Sequence, residues 1–472
     1  MAVPMGYPLE PSPADMRAMA VAATDLLVAR IDGLDGAPAV DLEDVGAATR
    51  SMPVAPSPDG RAFAEILEEV RRASAKGFAT EGPGYLAYIP GGGLFSAAVA
   101  EYLAYGINRY VGVWNAAPAL AQIEAAALRW LADLFDYPPE ARGIFTTGGS
   151  LANFSAVVTA RRTQLPDEFH QGVLYASAQT HASVAKAAVL AGFSPSSVRA
   201  VPTTAELAID VPVLQAQIES DRRAGLVPFL VVGNAGTTNT GAVDPLGELA
   251  DVVAAEGMWL HVDAAYGGFF QMTDRGRRLF AGIERADSVT LDPHKGMFLP
   301  YGTGCLLVRD GQKLRSAHQV QAEYLQDLAP EDEIPNFADY SPELSREFRG
   351  LRVWLPLQLH GVDAFRAALD EKLDLTQVLY RELAATPGFE LPWEPQLTVV
   401  PFRYRPDGGD PEAFNRALLE RINASKRVFL SSTLIDGRFV IRACIVSHRT
   451  HRDRIEEAVE IIRRAAKELA KG

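Results

Sequence analysis

From residue 143 onward the sequence alternates short apolar runs with helical patterns, and this alternation restricts the chain to an α/β fold. The runs fall at 143–146, 172–177 (GVLYAS), 228–233 (PFLVVG), 258–262 (MWLHV), 288–291 (SVTL) and 304–308. Continuous apolar character over so few residues predicts strands covered on both faces. Helical patterns after the Gly-rich turn at 148–149, over 181–191 and over 246–256 separate them, which predicts a mostly parallel sheet wrapped by helices. Such a sheet binds ligands beyond the carboxyl ends of its strands. Polar clusters stand at those ends: Gly148-Gly149-Ser150, Thr180-His181, Gly236-Thr237-Thr238, Asp263-Ala264-Ala265 and Asp292-Pro293-His294-Lys295.

The flanks read differently. Residues 1–80 are helical with a Pro/Ser connector at 53–58, a segment expected to pack on something else, a second subunit being one candidate. In GPGYLAYIPGGGL (82–94), Gly91-Gly92-Gly93 let the backbone approach a ligand closely or form a mobile loop. Residues 311–345 read as a long loop and 346–385 as a helix leading to a second domain, with strands at 397–404 and 439–446 and helices over 411–424 and 452–470. The division expected is 1–80, 81–360 and 361–472.

A formal net charge of −14 argues against nucleic acid or an anionic membrane as the main partner. The two cysteines, Cys305 and Cys444, sit in apolar runs and form no CxxC, so neither a metal site nor a disulfide framework is expected. That usage suits a reducing compartment such as the cytoplasm. The first residues lack a signal-peptide pattern, and no run reaches about 18 apolar residues, so no membrane helix is expected.

The strand-end clusters carry the chemistry. Lys295 follows a buried strand, where an ammonium costs several kcal/mol unless it is paired or reacted. It is either an amine held ready to become an imine or a solvated residue at a strand that ends on the surface. Thr147-Gly148-Gly149-Ser150 opens a helix, whose free N–H groups and dipole favour a phosphate. It is neither GxGxxG nor a P-loop, and Ser150 as a plain helix cap is the alternative. Asp263 needs a cationic partner or several donors, and a protonated heterocyclic nitrogen is one such partner. His181, at a helix start, offers an imidazole that could stack on a ring or simply cap the helix. A phosphate cup, a stacking imidazole, an acid for a ring nitrogen and a strand-end lysine together are what pyridoxal phosphate requires.

The segments TTGGSLANF (146–154), Thr180-His181, GTTNTGAVDP (236–245), HVDAAYGG (261–268), DPHK (292–295), SREFRGLRVW (345–354) and VIRACIVSHRTH (440–451), with AYIPG (87–91), follow one another in order. In these the chain resembles the group II pyridoxal-phosphate-dependent decarboxylases, which include aromatic-L-amino-acid decarboxylase. The resemblance implies fold type I: a large domain with a mostly parallel seven-stranded sheet, a small C-terminal α/β domain and a helical N-terminal segment. It implies Lys295 as the Schiff-base lysine, Asp263 on the pyridine nitrogen and His181 over the ring. Gly149, Ser150 and Asp292 match phosphate positions, His294 stands beside the lysine, and Thr238 and Ala265 match cofactor neighbours. Asp292 departs from the asparagine of the animal aromatic enzymes, and an acid there would repel a phosphate dianion unless it turns away.

The same resemblance implies a homodimer with a shared site and a tyrosine on a mobile loop as proton donor. Tyr340 in NFADYSPELSREFR matches best, with Tyr324 as the alternative. Without a tyrosine in reach, the related aldehyde-forming oxidation becomes possible. The expected substrate pocket, with Tyr88, Pro90 and Trp114, is apolar and aromatic, which favours tyrosine, tryptophan, phenylalanine or dopa. Arg109 leaves glutamate or aspartate open, although a surface ion pair explains it as well. A cysteine desulfurase would need an exposed nucleophilic cysteine. An aminotransferase would hold the substrate carboxylate with a small-domain arginine, and Arg442 alone does not discriminate. A cofactor-binding protein without activity would not call for the Lys295, Asp263 and His181 set.

Overall fold

The computed structural model describes residues 9–52, 55, 58–319 and 335–471. Its centre is a seven-stranded sheet in the order Arg142–Thr146, Gly304–Val308, Ser288–Leu291, Trp259–Asp263, Val227–Asn234, Gly172–Ser177, Val198–Val201. The strand Gly304–Val308 runs antiparallel to both its neighbours, and the pairings from Ser288–Leu291 across to Val198–Val201 are parallel. The expected apolar runs are all strands. The added one, Val198–Val201, is a short edge strand with partly exposed residues, so it lacks the apolar signature of the others.

Register brings the functional ends level. Asn234 pairs with Asp263, Asp263 with Thr290, Leu291 with Cys305, and Thr146 with Gly304. Thr147, Asp263 and Asp292 therefore emerge along one rim. Gly304 allows the close approach there, since a Cβ on it would lie 2.5 Å from Gly148 Cα.

Two stretches differ from expectation. Residues 346–385 form two helices, Gly350–His360 and Val362–Ala384, broken at Gly361 with φ 76°. The long loop begins instead as a helix, Gly311–His318, capped by the Asp310 side chain. Its polar surface hid a buried edge made by Gly311, Leu314 and Ala317. Beyond Gly361, an antiparallel sheet in the order Phe389–Glu390, Val399–Tyr404, Arg438–Cys444, Ser431–Ile435 packs with helices Val362–Ala384, Pro411–Asn423 and Arg452–Leu469 around a separate apolar cluster.

The seven-stranded sheet is tied under its rim by a fully buried ion pair. Arg346 and Glu124, both 0% exposed, meet at 2.5 Å. Arg346 also donates to the Phe145 carbonyl, and Glu124 accepts from Gly350 N–H. Gly350 has to be glycine, because a Cβ would stand 2.7 Å from Glu124 Cα. Helix Pro118–Leu134, the end of strand Arg142–Thr146 and helix Gly350–His360 thus share one charge-assisted clasp. Arg346→Met leaves Glu124 buried without its cation, and the expected loss is about 3–5 kcal/mol, read as a lower urea-unfolding midpoint. A midpoint equal to wild type would show that the clasp carries no net stability.

Candidate active site

The rim encloses a cavity of about 290 Å³, near the lower end of the roughly 300–1,000 Å³ usual for small-molecule pockets. Gly149, Ser150, His181, Thr238, Asp263, Ala265, Asp292, His294 and Lys295 all line it.

Lys295 reaches it because the strand Ser288–Leu291 stops at Asp292 and a single helical turn, Pro293–Gly296, follows with proline at its start. Gly296 lets that turn press on Phe269, where a Cβ would meet Phe269 Cβ at 2.7 Å. Lys295 is not a solvated surface lysine: its Nζ lies 2.7 Å from Asp292 Oδ2. Burial pulls the ammonium down, but the Asp292 charge and hydrogen bond outweigh it and hold Lys295 above the ordinary lysine range. His294 Nδ1 lies 2.6 Å from the Thr303 carbonyl and so donates to it. Its Nε2 then faces Asp292 Oδ2 at 3.7 Å. Burial lowers the His294 imidazole against the opposing pull of Asp292.

Asp292 turns to the lysine without leaving the cup. Its oxygens would lie 3.1 and 3.4 Å from a Cβ on Gly149, and buried Oδ1 has no hydrogen-bond partner among the described residues. Helix Gly149–Gln164 begins beside it with Gly148 as N-cap and no side-chain cap. Ser150 is therefore not the cap but the helix's second residue. Leu151 and Ala152 N–H donate to the Gly148 carbonyl, which leaves the N–H groups of Gly149 and Ser150 at the helix start for a ligand.

At another wall, Asp263 is buried and accepts from Ala265 N–H at 3.1 Å and Asn153 Nδ2 at 2.9 Å. His181 caps helix Ala182–Leu190, its Nδ1 accepting from Ser183 N–H at 3.2 Å with Ser183 Oγ at 2.8 Å. The Thr238 carbonyl accepts from Arg442, whose guanidinium also donates to the Asn239 carbonyl and Ser431 Oγ.

Other expected residues stand elsewhere in this chain. Tyr340 does not line the cavity. It ends the short 3₁₀ turn Phe337–Asp339 and is buried in the apolar cluster of Ile144, Val308 and Leu314, its hydroxyl bonded to the Arg142 side chain. Burial raises its phenol. Tyr324 lies outside the described residues. Tyr88 is 53% exposed with φ 52°, its N–H donating to Ser431 Oγ, and Pro90 is buried. Neither lines the cavity, although Gly91 beside them presses on the lysine turn, a Cβ there lying 2.7 Å from the His294 carbonyl. Trp114 is also outside the cavity, its N–H donating to Asn336 Oδ1 at 2.8 Å. Arg109 is exposed. Cys305 and Cys444 are buried, and burial raises both thiols, Cys444 to about 12, so neither is a nucleophile.

Asn153, Ser183, Asn234 and Tyr266 line the cavity and were not anticipated. Asn153 was within reach of sequence reasoning, because it stands four and three residues after Gly149 and Ser150 and so shares their helix face. An amine, a buried carboxylate, an imidazole and an uncapped helix start around one cavity fit pyridoxal phosphate, and the orphaned Asp292 Oδ1 marks where a further donor is wanted.

Comparison with known proteins agrees. Residues 46–405 match the model described as Pyridoxal-dependent decarboxylase conserved domain. The chain is 35% identical to an aromatic-L-amino-acid decarboxylase of Bacillus atrophaeus, over 99% of this chain and 98% of that one. It is 29% identical to a phenylacetaldehyde synthase of Arabidopsis thaliana, over 86% of each. The crystal structure of Oryza sativa TDC with PLP and tryptamine superposes with a TM-score of 0.93 at 28% identity, over 98% of this chain and 99% of that one.

Asp292→Asn removes the charge that holds the Lys295 ammonium up and leaves the burial that pulls it down. The pH midpoint for capture of added pyridoxal phosphate by the apoprotein, followed by imine absorbance, should fall by about one unit or more. An unmoved midpoint would show that Asp292 does not control the amine.

Proposed function

The chain belongs to the pyridoxal-dependent decarboxylase family, and from that premise we propose that it converts an aromatic L-amino acid to its amine and carbon dioxide on pyridoxal 5′-phosphate held by Lys295. The observation that supports this is the convergence of Lys295, Asp263, His181 and the open start of helix Gly149–Gln164 on one cavity. When bound, the cofactor supplies an electron sink for the pair released as the bond to the carboxylate breaks.

The chain's own groups do the rest. Lys295 would hold the cofactor and give way to the substrate amine. Asp263 would keep a proton on the ring nitrogen, His181 would cover the ring, and the N–H groups of Gly149 and Ser150 would hold the phosphate, with His294 beside the lysine. Thr238 and Ala265 would be neighbours of the cofactor. With Tyr340 packed in the core, we assign the proton returned to the α-carbon to Tyr324. The relative named as an aldehyde synthase gives this assignment its counter-reading, in which oxygen and water would be consumed and aldehyde, ammonia and hydrogen peroxide would leave with the carbon dioxide.

The experiment is a panel of amino acids with carbon dioxide, amine and peroxide measured together. Amine and carbon dioxide from aromatic substrates are expected, and peroxide with aldehyde from the unmodified protein would overturn the reading. Lys295→Ala should lose the imine absorbance and turnover. Tyr324→Phe should lower amine formation about 10²-fold or more, the usual worth of a positioned proton donor, while peroxide and aldehyde appear.

We further propose a homodimer that shares its sites. Helix Pro13–Asp32 buries none of its residues, and it exposes Met16, Met19, Val21, Leu27 and Val28. Helix Phe95–Ile107 exposes Tyr102, Leu103, Tyr105 and Ile107. A second copy covering these faces is how we expect Trp114 to reach a partner's cavity, since none of Tyr88, Pro90 and Trp114 lines the cavity of its own chain. Tyr102→Glu should then sediment as a monomer and lose turnover; a fully active monomer would refute the shared site. Among the described residues no helix is long and apolar enough to cross a membrane, and the two buried, unpaired cysteines suit the cytoplasm.

A further inference from the structure

One amide underlies both groups that face the cofactor ring. Asn153 Nδ2 lies 2.9 Å from Asp263 Oδ2 and 2.9 Å from Ser183 Oγ. Its Oδ1 lies 3.0 Å from His261 Nε2. Asn153, His261 and Ser183 are all buried. We propose that Asn153 is the positioning residue that fixes Asp263 and His181 together, so that the acid at the ring nitrogen and the imidazole over the ring are set by a single side chain. The proposal rests on the pyridoxal-phosphate reading of this cavity.

The direction of every bond follows from its neighbours. A carboxylate only accepts, so the edge of Asn153 facing Asp263 has to be its NH₂. Its carbonyl oxygen is thereby turned to His261, which has to donate from Nε2. His261 can do so as a neutral ring with its other nitrogen accepting. Trp259 Nε1 donates to Ser288 Oγ at 2.8 Å, which leaves the Ser288 hydrogen for His261 Nδ1, also at 2.8 Å. Burial lowers the His261 imidazole to about 4 against the opposing pull of Asp263, in keeping with a neutral ring. Thr290 Oγ1 stands beyond the main bond, 3.4 Å from the same Nε2.

On the other branch, Ser183 Oγ accepts from Asn153 and gives its own hydrogen to His181 Nδ1, 2.8 Å away. That nitrogen already accepts from Ser183 N–H, so it carries no hydrogen, and in the neutral ring Nε2 does. A fixed sequence of donors thus runs from Trp259 through Ser288, His261 and Asn153, and there divides to Asp263 and to Ser183 with His181. The branching residue has to give two hydrogens and take one from a third direction. Among uncharged side chains of this size only a carboxamide does that. Aspartate in its place would set an acceptor against the Asp263 carboxylate and against the Ser183 hydroxyl, whose only hydrogen points to His181.

The test uses the full chain loaded with pyridoxal phosphate. The wild type has to bind the cofactor and show the imine band. A wild type that binds none overturns the cofactor reading itself. Given a loaded wild type, Asn153→Asp should bind pyridoxal phosphate about 10–100-fold more weakly, the range seen when the outer partners of metal-bound groups are removed. Its absorption band should shift in position or in the ratio of its forms, and kcat should fall with KM little changed. Ser183→Ala, which cuts only the His181 branch, should keep the band position while kcat falls. Asn153→Leu, of similar volume, serves if the aspartate variant shows no cooperative unfolding as apoprotein. Wild-type cofactor affinity with an unchanged band in whichever Asn153 variant folds would overturn the proposal. A lower melting temperature with no change in band or affinity would reduce Asn153 to a packing role and overturn it equally.

Discussion

The site depends first on strand register. Asp263 faces Asn153 on helix Gly149–Gln164 because Trp259–Asp263 is paired so that Asp263 stands level with Asn234 on one side and Thr290 on the other. Side chains alternate across a sheet, so a slip of one residue would turn Asp263 to the opposite face and leave the cavity without its acid. The slip is prevented by burial. Leu260 and Val262 lie in the core on one face, with Trp259, and with His261 hydrogen-bonded to Ser288, on the other. The chemistry at the rim is therefore held in place by apolar residues that never reach it.

Three buried acids illustrate three ways to keep a charge inside a protein. Glu124 meets Arg346 in a fully buried pair and takes Gly350 N–H as well. Among the described residues no cation hydrogen-bonds Asp263; two N–H donors meet it. Asp292 pairs with the very amine the cofactor would consume. An unpaired buried charge is costly, so Asp292 is the acid whose surroundings change most between apoprotein and loaded enzyme. With Lys295 bonded elsewhere, its remaining neighbours are His294 Nε2 and the helix start at Gly149. The acid that sequence reading finds hard to place beside a phosphate is here the partner of the lysine ammonium.

What could be read from the chain follows the range of the forces involved. Strand-end clusters were legible because buried strands announce themselves by continuous apolar character, and the parallel-sheet rule then says where a ligand goes. The edge strand Val198–Val201 was not legible, since partial exposure mixes its pattern. The break at Gly361 needed a backbone angle, and a helix-compatible sequence on both sides concealed it. Tyr340 shows a different limit. A motif fixes order along the chain, but whether a phenol reaches a cavity or fills a gap between Ile144, Val308 and Leu314 is decided by packing. Asn153 was overlooked because an amide in a helix carries no charge to draw notice, and its importance comes wholly from the groups that folding sets around it.

Arg442 decides between two chemistries that this cofactor permits. An arginine free in the small domain could clamp a substrate carboxylate in the plane of the ring, which favours removal of a proton over loss of carbon dioxide. Here the guanidinium is buried, and each of its three nitrogens already donates, to the carbonyls of Thr238 and Asn239 and to Ser431 Oγ. Its bonds tie strand Arg438–Cys444 of the C-terminal sheet to the turn after strand Val227–Asn234, beside the cavity rather than into it. Arg442 does not line the cavity, so bringing its two remaining N–H groups to a substrate would mean moving the guanidinium out of that tie and away from both carbonyls. A carboxylate entering this cavity is therefore not pinned by Arg442. It can stand out of the ring plane, the orientation in which its bond to the α-carbon overlaps the ring's π system and breaks.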